Sequence, residues 1–148
     1  MHALILAGGK GTRLRPLTLT CPKPLLPFMA EPYAVGLLRR LRAFDCTDVT
    51  FLVGADGTSF DGLRSAGADL GVTVRVTTEE RPLDTAGAVR RLLHGRGDTG
   101  VLICNGDVLT DVDYGELVRA QPRRQRHRHA GADGGRGHVE LRRRRPRR

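Results

Sequence analysis

The sequence predicts an α/β domain built on a mostly parallel sheet, and three observations carry that expectation. A short, continuously apolar run at residues 3–7 reads as a strand covered on both faces, and the largely apolar segments 48–54 and 101–104 as two further buried strands. Between them lie segments whose apolar residues recur at helical spacing, joined by short connections, which is the order of parallel strands with crossover helices. A chain of 148 residues with 39% hydrophobic content is also enough for one respectable core.

The first strand runs through Leu4, Ile5, Leu6 and Ala7 and breaks into Gly8-Gly9-Lys10-Gly11-Thr12-Arg13-Leu14-Arg15-Pro16-Leu17-Thr18. Glycines lack a Cβ, so backbone N–H groups can approach an anion closely at the end of a strand, and the loop reads as a polyphosphate cradle. Arg13 and Arg15 would add charge-assisted contacts to the same phosphates. A glycine pair after a strand also serves an ordinary tight turn. It is the clustering of three glycines, a threonine and two arginines that favours the cradle. The spacing matches neither the Walker loop nor the dinucleotide fingerprint.

Residues 8–31 read as irregular, because Pro16, Pro22, Pro24, Pro27 and Pro32 forbid a regular helix. Within that stretch Pro22-Lys23-Pro24-Leu25-Leu26-Pro27 holds Lys23 between two rigid residues. A stiffened linker with a solvated lysine is the bland reading. A preorganised cation beside the glycine loop is the functional one, since it loses less entropy on binding.

From Pro32 to Phe44, Tyr33, Leu37, Leu38, Leu41 and Phe44 mark a helix, with Arg39, Arg40 and Arg42 assigned to its solvated face. Asp48 to Gly54 is the second buried strand, followed by a weak helix at about 57–66. Val72, Val74 and Val76 alternate with Thr73, Arg75 and Thr77, so this strand has a more exposed face and belongs near a sheet edge. Asp84-Thr85-Ala86-Gly87 opens a helix running to about Leu93, with Asp84 a plausible N-cap. Val101 to Cys104 is the third buried strand and leads straight into Asn105-Gly106-Asp107. Asp113 then caps a helix carrying Tyr114, Leu117 and Val118. Ligands on such sheets bind at the carboxyl ends of the strands, where both the glycine loop and Asp107 fall.

The net charge of +9 would ordinarily suggest a nucleic-acid or membrane-surface partner. Its distribution argues otherwise. Residues 121–148 hold 11 arginines against Asp133 and Glu140, whereas residues 1–120 hold 14 basic and 14 acidic residues and are neutral. Residues 1–120 are therefore expected to form the folded part and 121–148 an Arg-rich, disordered tail with almost no branched apolar residue. A metal pair at His127 and His129 and a nucleic-acid tail are both disfavoured. The tail has the composition of GC-rich coding DNA read in the wrong frame. Permitted codons from Arg126 onward, read one nucleotide later, can spell GTATLALTEVADTSSYGVVDLDA, which alternates like a strand. Cys21, Cys46 and Cys104 are odd in number and widely spaced, so they read as reduced thiols of a cytoplasmic protein. No apolar run reaches the length of a membrane span, and the N-terminal one lacks the features of a signal peptide.

In this order, Gly8 to Thr18, Pro22 to Pro27, Leu83-Asp84-Thr85-Ala86-Gly87 and Asn105-Gly106-Asp107 resemble the sugar-1-phosphate nucleotidyltransferases, and within that family the mannose-1-phosphate guanylyltransferases and glucose-1-phosphate thymidylyltransferases. The resemblance covers residues 1 to about 120, and the shifted-frame text is similar to the family's next segment. It implies a Rossmann-like nucleotidyltransferase domain, truncated in mid-domain, in an enzyme that joins an NTP to a sugar 1-phosphate and releases pyrophosphate. It places Leu6, Ala7, Gly8, Gly9, Gly11 and Thr12 around the nucleotide, and Arg13 on the leaving pyrophosphate. Lys23 falls on the attacking or α-phosphate oxygens, Asp107 on Mg²⁺, and Asp84, Thr85, Ala86 and Gly87 beside the base. Asp84 stands where many relatives have glycine, so it either accepts hydrogen bonds from a guanine edge or caps its helix. The resemblance also implies that the sugar-binding half and a second metal-binding aspartate are missing, which puts turnover in doubt. Two other readings stand beside it: a noncatalytic nucleotide-binding regulatory module, and nucleic-acid binding through the basic tail. Base, sugar and oligomeric state stay open.

Overall fold

The computed structural model describes residues 1–78, Val89 and 100–120. A four-stranded, all-parallel sheet runs in the order β5-β4-β1-β6, from β1 (His2–Ala7), β4 (Asp48–Val53), β5 (Thr73–Thr78) and β6 (Val101–Asn105). The chain reaches it through β1, a tiny antiparallel hairpin of β2 (Pro27–Phe28) and β3 (Glu31–Pro32), and helix α1 (Tyr33–Ala43). Helix α2 (Gly62–Asp69) links β4 to β5, and α3 (Tyr114–Ala120) follows β6.

The apolar runs of β1 and β4 are explained by burial on both faces; β6, expected as a third buried strand, lies at the end of the strand order and buries only Leu102, with Ile103 44% exposed. Ala3, Ile5, Ala7, Val49, Phe51 and Val53 point to the face covered by Ala34, Leu37, Leu38 and Leu41 of α1 and Leu63 of α2. Leu4 and Leu52 point the other way, where Leu6, Val101 and Val89 pack against them. Thr50, also on that second face, is buried and its hydroxyl pairs with the His2 Nε2 at 2.9 Å. As the valine alternation predicts, β5 is an edge strand, with Thr73 and Arg75 exposed and Val74 buried.

Among the described residues, the crossover helices α1 and α2 end in the same device. After α1, Asp45 adopts φ 58°, its N–H bonds to the Arg42 carbonyl and the Cys46 N–H to the Leu41 carbonyl, each at 3.0 Å. After α2, Gly71 adopts φ 69°, and the Gly71 and Val72 N–H groups bond to Ala68 and Gly67 at 2.9 and 2.8 Å. The paired bonds stop each helix and aim the chain at the next strand.

The helix expected at 57–66 lies later in the chain. Asp56 Oδ1 accepts bonds from the Thr58 N–H at 2.9 Å and the Thr58 hydroxyl at 2.7 Å, which fixes a short 3₁₀ turn at Thr58–Phe60 before α2 begins. The interval 8–31 is also more ordered than its prolines suggest, holding three 3₁₀ turns and the β2–β3 hairpin. The expected helix from Asp84 lies outside the described residues, apart from Val89.

Successive strands β1, β4 and β5 step in one direction across the sheet, whereas β6 adds on the other side of β1. The order therefore reverses between β1 and β6. Open α/β sheets place their ligand crevice outside the carboxyl ends of strands at such a point.

Candidate nucleotide-binding site

The register Leu6↔Asn105 brings the ends of β1 and β6 side by side, so the glycine loop and Asn105-Gly106-Asp107 emerge together. Gly106 makes that approach possible. Its N–H bonds to the Leu6 carbonyl at 2.8 Å, and a Cβ built there would lie 3.0 Å from that oxygen and 3.1 Å from the Ile5 side chain.

Leu6 and Ala7 form the end of β1, and Gly8, Gly9 and Lys10 follow as exposed backbone. Gly11 adopts φ 59°, and Thr12, Arg13 and Leu14 form a 3₁₀ turn closed by the Leu14 N–H on the Gly11 carbonyl at 2.9 Å. Thr12, Arg13 and Arg15 are all exposed beside the loop. The Thr18 hydroxyl donates to the same Gly11 carbonyl at 2.8 Å, tying the far end of the motif back to its glycine. A Cβ at Gly11 would sit 2.9 Å from the Thr18 methyl in a backbone conformation that costs a non-glycine residue roughly 1–2 kcal/mol. Gly11→Ala is accordingly expected to lower stability by about 1–2 kcal/mol, measured by urea unfolding.

The Pro22–Pro27 motif wraps onto this loop. Lys23, Pro24 and Leu25 form a 3₁₀ turn with Pro24 buried, and a Cβ at Gly106 would lie 3.4 Å from the Pro24 ring. The Lys23 ammonium donates to the Asp107 carboxylate at 2.8 Å, across 84 residues of sequence. Their side chains are 34% and 41% exposed, so the pair faces solvent from the crevice rather than serving the core. An exposed ion pair of this kind contributes only about 0–1 kcal/mol to folding. Of the residues expected in the site, the structure thus brings together Leu6, the glycine loop, Lys23 and Asp107. Asp84, Thr85, Ala86 and Gly87 lie outside the described residues.

The loop after Asp107 is held from α1. The Tyr33 hydroxyl donates to the Val108 carbonyl at 2.5 Å. Arg40 donates to the Val112 carbonyl at 2.6 Å, and its guanidinium stacks 5.2 Å from the Tyr114 ring centroid. Arg40 therefore departs from the solvated face assigned to it, while Arg39 pairs with Glu31 and Arg42 with Asp45 at the surface. Helical periodicity distinguishes faces but not a partner 72 residues away, and no sequence signal marked Tyr33 or Arg40 as site residues. Burial pushes the Tyr33 hydroxyl above its ordinary range; Arg40 opposes the shift and the Asp107 charge adds to it. Burial likewise pushes Tyr114 up to about 12. Both phenols stay protonated near neutral pH, and Tyr33 remains a donor.

Among the described residues no three His, Cys, Asp or Glu side chains cluster as a complete metal cage. Asp107 alone fits the kind of site in which a hard cation takes one or two carboxylates and completes its shell with water and substrate phosphates, as Mg²⁺ does. No helix among the described residues is long and apolar enough to cross a membrane.

Comparison with known proteins identifies the family and the fold. The nucleotidyl transferase family model matches residues 2–136. A mannose-1-phosphate guanylyltransferase of Mycobacterium tuberculosis is 37% identical over 118 residues, covering 80% of this chain and 33% of that protein. A mannose-1-phosphate guanyltransferase beta-B of Xenopus laevis is 36% identical over 140 residues, covering 90% of this chain and 36% of that protein. The chain spans about a third of the length of these relatives. Among solved structures, one assigned as a glucose-1-phosphate thymidylyltransferase of Bacillus anthracis superposes with a TM-score of 0.71 at 25% identity, covering 80% of this chain and 49% of that one. A UDP-glucose pyrophosphorylase shares the fold at a TM-score of 0.64 and 16% identity, covering 80% of this chain and 51% of that one. With a parallel sheet reversing at β1 and β6, the glycine loop at that reversal and the family match over most of its length, the chain belongs to the nucleotidyl transferase family.

Proposed function

We propose that this chain supplies the nucleotide- and metal-binding residues of an enzyme that joins GTP to mannose 1-phosphate and releases pyrophosphate. The observation that carries the reading is the convergence of Lys23 and Asp107 at 2.8 Å beside the glycine loop, at the reversal of strand order. The curated relatives favour guanine and mannose over thymine or uracil and glucose.

In the proposed reaction an oxygen of the sugar phosphate attacks the α-phosphorus of the nucleotide. One phosphorus–oxygen bond forms, the α–β bridge breaks, and its electron pair leaves with pyrophosphate. The nucleophile is already an anion, so neither a general base nor a covalent serine or cysteine is needed. What the protein must supply is alignment and charge neutralisation. Backbone N–H groups of Gly8 to Thr12 line the polyphosphate, Arg13 takes the charge that develops on the pyrophosphate, and Lys23 holds the α-phosphate oxygens. Asp107 would hold Mg²⁺, which would supply charge neutralisation at the phosphates. Asp84 and its neighbours Thr85, Ala86 and Gly87 read the base.

Calorimetric titration of the chain with GTP, dTTP, UTP, CTP and ATP in Mg²⁺ tests the assignment. GTP is expected to bind at least roughly tenfold more tightly than the others, the lower end of what one hydrogen bond to a charged acceptor contributes. Equal affinity for all five, or preference for dTTP or UTP, would refute the guanine assignment. Pyrophosphate release with GTP and mannose 1-phosphate reads the transfer step itself.

A further inference from the structure

Tyr33 is tied to both halves of the site through different atoms. Its backbone N–H bonds to the Leu26 carbonyl at 3.0 Å, and Leu26 in turn bonds through its N–H to the Lys23 carbonyl at 3.2 Å. Its hydroxyl bonds to the carbonyl of Val108, the residue after Asp107, at 2.5 Å. One residue at the first position of α1 thus spans from the turn that carries Lys23 to the loop that carries Asp107.

That loop has little else to fix it. No helix or strand occurs between β6 and α3, and beyond the buried Gly106 the residues Val108 and Leu109 are 46% and 70% exposed, so packing does little to hold the backbone that follows Asp107. Hydrogen bonds hold it instead. The Gly106 N–H anchors the start on Leu6, Tyr33 the middle and Arg40 the end. Tyr33 and Arg40 lie about two turns apart on the same rigid helix. The tie nearest Asp107 on its C-terminal side is the one from Tyr33.

We propose that Tyr33 is a positioning residue whose hydroxyl sets the placement of Asp107 relative to Lys23, and thereby the metal-dependent part of nucleotide binding. The inference rests on the assignment of Lys23 and Asp107 to phosphate and metal. Groups that orient a metal ligand without touching the metal typically change its affinity tenfold or more when removed.

Tyr33→Phe deletes only the oxygen and retains the ring that meets Phe28 edge-on at 6.1 Å. The test titrates Mn²⁺ into the full chain with GTP present and reads the enhancement of water-proton relaxation over a protein-free Mn²⁺–GTP blank, which reports Mn²⁺ held on the protein. Metal-free GTP affinity and thermal midpoint are measured alongside. Tyr33→Phe is expected to raise the Mn²⁺ half-saturation about tenfold and to leave metal-free GTP affinity within about twofold. Arg40→Lys, acting at the far end of the loop, is expected to shift it less and in the same direction; it serves as the second lever should Tyr33→Phe fold poorly.

An unchanged half-saturation in Tyr33→Phe, where Asp107→Asn raises it on the order of 10- to 100-fold, overturns the role of Tyr33 and leaves the site assignment standing. An equal loss of metal-free and metal-dependent binding in both variants also overturns it, since that is general loosening. Mn²⁺ binding indifferent to Asp107→Asn, or absent from the unaltered chain, refutes the site assignment and this inference with it.

Discussion

Asp107→Asn is expected to change nucleotide affinity in opposite directions without and with Mg²⁺. In the metal-free chain the Asp107 carboxylate occupies the Lys23 ammonium at 2.8 Å and repels an incoming polyphosphate. Asparagine removes a negative charge and weakens a solvent-facing ion pair, a change on the order of 0.2–1 kcal/mol. Metal-free GTP should therefore bind about 1.4- to 5-fold more tightly to the variant. With Mg²⁺ the sign changes, because the variant lacks the carboxylate that would hold the cation against the phosphates. A contact to a charged group contributes about 1.5–3 kcal/mol, so affinity should fall on the order of 10- to 100-fold. Lys23→Met is expected to weaken binding by a similar factor both with and without metal. Parallel losses in the two variants under both conditions would mean that the two residues do not divide phosphate and metal between them. Calorimetry with and without Mg²⁺ distinguishes these outcomes.

Phe51→Ala is expected to be the most destabilising single change in the sheet, at about 3–5 kcal/mol. Phe51 is fully buried at the centre of β4, between Ile5 of β1 and Val76 of β5, and its ring lies 6.2 Å from that of Phe60. Truncation leaves a cavity beneath α1 and α2 that neighbouring strands cannot close without losing register. For a domain with the usual 5–15 kcal/mol of stability, that loss brings the folded state close to its limit. Urea unfolding followed by circular dichroism measures it. A loss below about 1 kcal/mol would contradict the placement of this ring in the main core.

The same apolar runs that predict burial of Phe51 made most of the sheet legible. Residues such as Leu4 and Ile5 have no polar alternation, and only a parallel strand covered on both sides suits that pattern. The crevice was legible because the glycine loop and Asp107 each follow a largely apolar strand. The β2–β3 hairpin was not, for its two turn residues, Met29 and Ala30, adopt φ 52° and 69° without the Asn or Gly that ordinarily signals this geometry. Tyr33 and Arg40 were invisible for another reason. Their partners are carbonyls of Val108 and Val112, and a backbone acceptor leaves no mark on residue identity. Periodicity put Arg40 opposite the apolar stripe, yet its long side chain reaches across to a neighbouring loop.

The central claim is that nucleotide phosphates and metal meet between the ends of β1 and β6. Paramagnetic broadening by Mn²⁺–GTP, recorded residue by residue in the amide NMR spectrum of the isotope-labelled chain, tests it most directly. The account predicts loss of the Gly8 to Arg13, Lys23 and Asp107 amide signals at substoichiometric Mn²⁺, with β5 and α2 unaffected. Broadening confined to the arginines of 121–148, or spread evenly over the chain, would contradict it.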